Sequence, residues 1–167
     1  MRKLIELLAV FVAFLLQSTL FQHLSFAGIV PNMMIIVTCI CGFMSGKNDG
    51  MIAGFICGLL MDVFYGDVLG FNALVYLYIG YTSGSVNRLF YPEDIKLPLI
   101  FISVADLSYL FITYLIRFML RARFNIGYYF INVMLPELVY TFAVTLILYF
   151  PLSRITMKLG GFERENE

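Results

Sequence analysis

Apolar residues fill this chain in six long stretches, and the polar joints between them are short. A membrane-crossing helix needs about 20 predominantly apolar residues. On that measure the chain predicts segment one over 4–21, segment two over 29–44 and segment three over 51–65. Segment four follows over 69–86, segment five over 97–119 and segment six over 130–152. Segments two and three are short for a full crossing. They reach full length by recruiting joint residues, or the protein is locally thin, or the pair forms a re-entrant hairpin. The expected fold is all-α: one polytopic domain over residues 1–167 with six transmembrane helices.

The joints, "QHLSFAG", "SGKNDG", "YGDV", "NRLFYPEDIK", "RFMLRARFN" and the tail "SRITMKLGGFERENE", are too brief to hold an extramembrane domain. Whatever the protein does, it does within the membrane or through partners. Composition agrees, with 61% hydrophobic residues and no net formal charge. A soluble domain of 167 residues could not hide that much apolar surface. No basic stripe points to nucleic acid. The first apolar stretch is too long for a cleavable signal and reads as a retained helix.

Orientation follows from Lys and Arg near the helix ends. With both termini inside, the inner set is Arg2, Lys3, Lys47, Arg88, Lys96, Arg154, Lys158 and Arg164, and the outer set is Arg117, Arg121 and Arg123. Eight against three predicts cytoplasmic N- and C-termini. The outer cluster lies among headgroups or meets a partner.

Small residues recur every four positions: Gly50, Gly54, Gly58, Asp62, Gly66, Gly70. Positions four apart stack on one helical face. The first three make a groove that another helix backbone can enter, which is how helices associate in lipid. Gly80 and Gly84 repeat the device in segment four, and Ala9 and Ala13 in segment one. Asp62 continues the face about 18 Å beyond Gly50. A carboxylate at that depth is costly unless it is partnered. It either locks the break at Gly66 by accepting from freed amides or from Asn72, or it serves as a ligand or proton site.

Other polar residues in apolar surroundings are Glu6, Gln17, Asp106, Arg117 and Glu137. Glu137 follows Pro136, whose ring frees an upstream carbonyl and tends to kink a helix. Cys39, Cys41 and Cys57 read as small buried hydrophobes, with no disulfide or metal site. His23 reads as interfacial. No metalloprotease, nucleophile-elbow or phosphate-loop motif is present, so neither an enzyme nor a cofactor is expected.

Several of these features resemble one family. "LLQSTLF" ends segment one, Pro31-Asn32 opens segment two, and Gly46 follows. Then come "GFICGLLMDVFYGDVLGFNAL" at 54–74 and "IGYTSG" at 79–84. Together they resemble the MreD family of rod shape-determining membrane proteins, over roughly residues 10–86. The resemblance implies a non-enzymatic protein of the cytoplasmic membrane. It implies MreC as a partner, with the actin-like MreB, the glycosyltransferase RodA and a class B penicillin-binding protein in lateral wall synthesis. That family is similar in fold to the S components of energy-coupling-factor vitamin transporters. This supplies a rival function, a substrate-binding carrier that would meet its coupling subunit through Ala9 and Ala13. Pro31, Asn32, Gly54, Gly58, Asp62, Gly66, Gly70 and Asn72, with Ala9 and Ala13, are the interaction or structural candidates.

Overall fold

The computed structural model describes residues 2–23, 30–66, 68–87, 95–121 and 126–164. Those residues are helical throughout, joined by turns, with no strand among them. Helix α1 covers Arg2–His23, α2 Met33–Ser45, α3 Lys47–Tyr65, α4 Phe71–Ser85 and α5 Lys96–Arg121. A last helix, α6 here, runs without a break through α-helical Ile126–Tyr129, π-helical Phe130–Met134 and α-helical Leu135–Arg164.

Helix α2 is the centre of the molecule. Its sequence "MMIIVTCICGF" has no polar face, and every residue from Met33 to Phe43 is buried. A helix that is hydrophobic all round belongs inside. Helices α1, α3, α4, α5 and α6 all contact it. This accounts for the shortness of segment two, since a helix enclosed by others need not reach both edges of the hydrocarbon by itself. Its start is set by Asn32, whose side chain accepts from the Ile35 amide at 3.4 Å and so satisfies one orphan donor of the first turn.

A single residue separates α2 from α3. Gly46 has φ +92° and ψ −173°, a region closed to residues with a Cβ. Its amide closes α2 onto the Gly42 carbonyl at 3.0 Å, and its own carbonyl accepts from Gly50 at 2.9 Å. Helix α3 therefore begins at Lys47, four residues before the predicted boundary, by recruiting the joint "KNDG".

Helix α6 is longer than the predicted 130–152 and carries the π-helical turn just before Pro136. Proline has no N–H for the carbonyl four residues back, and the ladder widens to i→i+5 over that turn. The result is a bulge rather than a break. Pro151 also sits inside this helix.

Two stretches, Lys96–Ile116 and Gly127–Leu148, are long and apolar enough to cross a membrane. The apolar parts of α1 and α2, Glu6–Thr19 and Met33–Ser45, are shorter. Around the buried core the outer faces are apolar: Leu4, Leu69 and Ile147 are each more than 70% exposed. The side chains of His23, Arg117 and Arg121, and all of Arg123, lie outside the described residues. All three thiols, Cys39, Cys41 and Cys57, are free and buried.

Candidate functional site

The glycines of α3 and α4 face one another along an antiparallel pair, the most extensive helix pairing in the fold. Gly50 opposes Gly80, Gly54 opposes Tyr76, Gly58 opposes Asn72 and Ala73, and Gly84 opposes Gly46 and Lys47. A methyl group on Gly50 would lie 2.6 Å from the Gly80 carbonyl oxygen. One on Gly58 would lie 2.5 Å from the Ala73 Cα, and one on Gly54 would strike the Tyr76 carbonyl. Backbone touches backbone along this line, so no side chain fits. Helix α2 joins at one end: a methyl on Gly42 would meet the Gly84 amide at 2.9 Å, and one on Gly50 would meet the Gly42 Cα at 2.7 Å. Three backbones thus converge at Gly42, Gly50 and Gly80. The close approach explains the four-residue spacing, because only small residues permit van der Waals contact at that separation.

Asp62 stands at the other end of the α3–α4 pair and is 2% exposed. Its carboxylate accepts three backbone amides: Gly70 at 2.9 Å, Asn72 at 3.0 Å and Ala73 at 2.9 Å. Helix α4 begins after Gly70, in the left-handed conformation at φ +92° and with no side chain to cap it. Asp62 supplies the missing cap from the neighbouring helix. It satisfies two first-turn donors and places a negative charge at the positive end of the α4 dipole. Gly66 lets the chain turn tightly over this group, since a methyl there would sit 2.7 Å from the Asp62 Cα. The Gly66 amide bonds to the Asp62 main-chain carbonyl at 3.1 Å, so the carboxylate works on the far side of the turn.

The Asn72 side chain is turned elsewhere. Its Oδ1 accepts from the Tyr109 hydroxyl of α5 at 3.0 Å. Tyr109 meets Tyr76 edge to face, with ring centroids 5.3 Å apart. The Tyr76 hydroxyl donates to Asn32 Oδ1 at 2.8 Å, and the Asn32 amide donates to Thr141 Oγ1 of α6 at 3.2 Å. Helices α2, α4, α5 and α6 are thereby joined through one path of hydrogen bonds and a ring contact. The path matters because α4 and α5 otherwise barely touch.

Of the expected residues, the fold brings Gly54, Gly58, Asp62, Gly66, Gly70 and Asn72 together along the α3–α4 pair. Asn32 lies in that path, with buried Pro31 preceding it. Ala13 is 4% exposed and belongs to the core, while Ala9 is half-buried. Ala13 is therefore not on an outward face. Gln17 is also turned inward: it accepts from the Met34 amide at 3.2 Å and donates to Met61 Sδ at 3.8 Å. Glu6 accepts from Ser45 Oγ, tying α1 to the end of α2. Gly42, Tyr76, Tyr109 and Thr141 were not singled out by the sequence pattern. Gly42 alone had a visible signal, as it extends the four-residue series backward through Gly46 to Gly50 and beyond.

The family model for rod shape-determining protein MreD matches residues 1–159. No curated protein and no solved structure gives a significant match.

Proposed function

Since the chain belongs to the MreD family of rod shape-determining membrane proteins, we propose that it acts there as a non-enzymatic scaffold. In this reading it binds MreC and supports lateral peptidoglycan synthesis, with MreB, RodA and a class B penicillin-binding protein as further members of the assembly. It crosses the cytoplasmic membrane six times with both termini in the cytoplasm, as the eight-to-three balance of Lys and Arg favours.

The observation that carries the scaffold reading is how the buried polar groups of the family-like core are used. Asp62 is engaged by three amides of its own chain, and Asn32, Tyr76, Asn72 and Tyr109 by one another and by Thr141. These groups hold helices in fixed positions, which is what a docking platform requires. The carrier reading draws on Ala9 and Ala13 as an outward face, and Ala13 is in the core.

The test is co-purification. The full chain, extracted in mild detergent with MreC expressed at matched levels, is expected to carry MreC through affinity capture and gel filtration. Rod shape should return when the chain is restored to cells that lack it. Failure of MreC to associate in detergent and in nanodiscs, with the chain folded, would sink the proposal.

A further inference from the structure

A groove of about 110 Å³ opens on the outer surface between α1 and α3. Val10 and Ala53, 2% and 5% exposed, form its floor, and Leu7 and Ile52, each more than half exposed, form its walls. Three charged residues border one end: Lys3 and Glu6 near the start of α1, and Asp49 in the first turn of α3. Both helices begin at that end, so these charges mark the level of the headgroups on the side of the N-terminus. Val10 lies seven residues beyond Lys3, about 10 Å further along the axis. The groove is therefore charged at the membrane surface and apolar below it.

The Lys3 ammonium stands 4.0 Å from the Asp49 carboxylate, and its side chain is 81% exposed. An exposed pair at that distance contributes little by itself, and it leaves the ammonium able to meet a second anion. Glu6 is half-buried and accepts from Ser45 Oγ. Two carboxylates thus share the mouth with one ammonium. Their complement is a molecule with an ammonium for the carboxylates, an anion for Lys3 and an apolar chain directly beneath. A soluble ligand lacks the chain. A helix, about 10 Å across, is too wide for a space that takes one side chain or a few methylenes. An anionic headgroup without an amine would add a third negative charge beside Glu6 and Asp49, and a quaternary ammonium has no N–H to donate to them. The start of α3 has no side-chain cap, so its positive end also favours a phosphate nearby.

We propose that the groove between α1 and α3 binds one phospholipid with a primary-amine headgroup, of the phosphatidylethanolamine class, from the leaflet on the side of the N-terminus. The phosphate meets Lys3, and the ammonium lies against Asp49 and Glu6. The first methylenes of one acyl chain cover Val10 and Ala53 between Leu7 and Ile52. The lipid fills the seam and so helps to hold α1 against α3. This proposal goes beyond the scaffold reading and does not rest on it, because its readout is binding by the purified chain alone.

The experiment is native mass spectrometry of the full chain in mild detergent, offered equal amounts of phosphatidylethanolamine, phosphatidylcholine and phosphatidylglycerol with the same acyl chains. One phosphatidylethanolamine should be retained about fivefold better than either of the others, as two exposed charge contacts would give. Ile52→Trp blocks the groove from its exposed wall and should cut that retention to the phosphatidylcholine level. Lys3→Gln removes one charge contact and should about halve the preference. Both variants should keep the wild-type Tm in phosphatidylcholine nanodiscs, since both positions are exposed. Equal retention of the three lipids would overturn the proposal, and so would a preference for phosphatidylglycerol. A phosphatidylethanolamine preference that survives Ile52→Trp would place the lipid elsewhere and also overturn it. If wild type shows no lipid preference while Ile52→Trp loses MreC, the groove belongs to a partner protein and the proposal fails. Should Ile52→Trp fail to fold, the wild-type competition and Lys3→Gln still decide.

Discussion

The Asp62 cap makes a prediction whose size can be worked from the geometry. In the Asp62→Leu variant all three amide bonds are lost, but not at equal cost. Gly70 is exposed, so its N–H can bond to water or headgroups. Asn72 is half-buried, and Ala73 is 2% exposed. An unsatisfied buried donor costs about 1–3 kcal/mol, and the loss of a cap about 1 kcal/mol. With two donors stranded, the expected destabilisation is roughly 3–5 kcal/mol. The Asp62→Asn variant keeps one oxygen. Placed where Oδ2 now lies, that oxygen retains the Gly70 and Ala73 bonds and gives up only Asn72. The cost is then about 1–2 kcal/mol, including the weaker interaction of a neutral group with the helix dipole. Unfolding of both variants in the same detergent, alongside membrane abundance and rod-shape complementation, measures the order directly. Asn should lie less than half as far from wild type as Leu. If Asn is as destabilised as Leu, the cap geometry is not what matters. If Asn is stable and abundant but does not restore rod shape, the carboxylate charge has a role beyond the turn.

Other perturbations test the remaining contacts. Gly54→Leu and Gly58→Leu place side chains on the Tyr76 carbonyl and the Ala73 backbone, and should cost at least about 3 kcal/mol by overpacking and helix separation. Gly127→Ala, with nothing within 4 Å of its new methyl, should be neutral or slightly stabilising in the same unfolding assay. Tyr76→Phe removes one donor to Asn32 and should cost about 1 kcal/mol. Asn32→Ala should cost more, because it also loses the α2 cap. Reporter fusions at the two termini should both read cytoplasmic, and a periplasmic signal from either would refute the six-span orientation.

How much of this was legible in the sequence depends on the kind of signal. The four-residue series of small residues could be read because a helix repeats its faces with a fixed period. The period identifies a face but not its partner. Gly50-Gly54-Gly58 and Gly80-Gly84 were both visible as grooves, and only the antiparallel register shows that each is the other's occupant. Segment boundaries were hardest to place where turn chemistry overrode hydropathy. Gly46 lets α3 recruit the polar stretch "KNDG", and the turn before Pro136 absorbs the missing N–H by widening instead of ending the helix.

The polar residues were the hardest to interpret, and Asp62 and Asp106 show why. Both stand alone in apolar sequence, and by position alone they deserve the same question. Asp62 lies four residues before a glycine turn, so the unpaired amides near it could be anticipated from the chain itself. Its partners fall within eleven residues of it. Asp106 has no such neighbours. Its surroundings come from α2, α4 and α6, through residues from 30 to 67 positions away. The same holds for Asn32, whose amide reaches Thr141 across 109 residues, and for Tyr76, which reaches back 44. Bonds over such separations follow from how α4 and the α5–α6 hairpin dock on α2, and no local pattern encodes that docking. Polar groups that close a nearby turn are therefore readable in advance. Those that join distant helices become interpretable only once the helices are placed, and Asp106 on α5, which meets Thr141 of α6, is one of these.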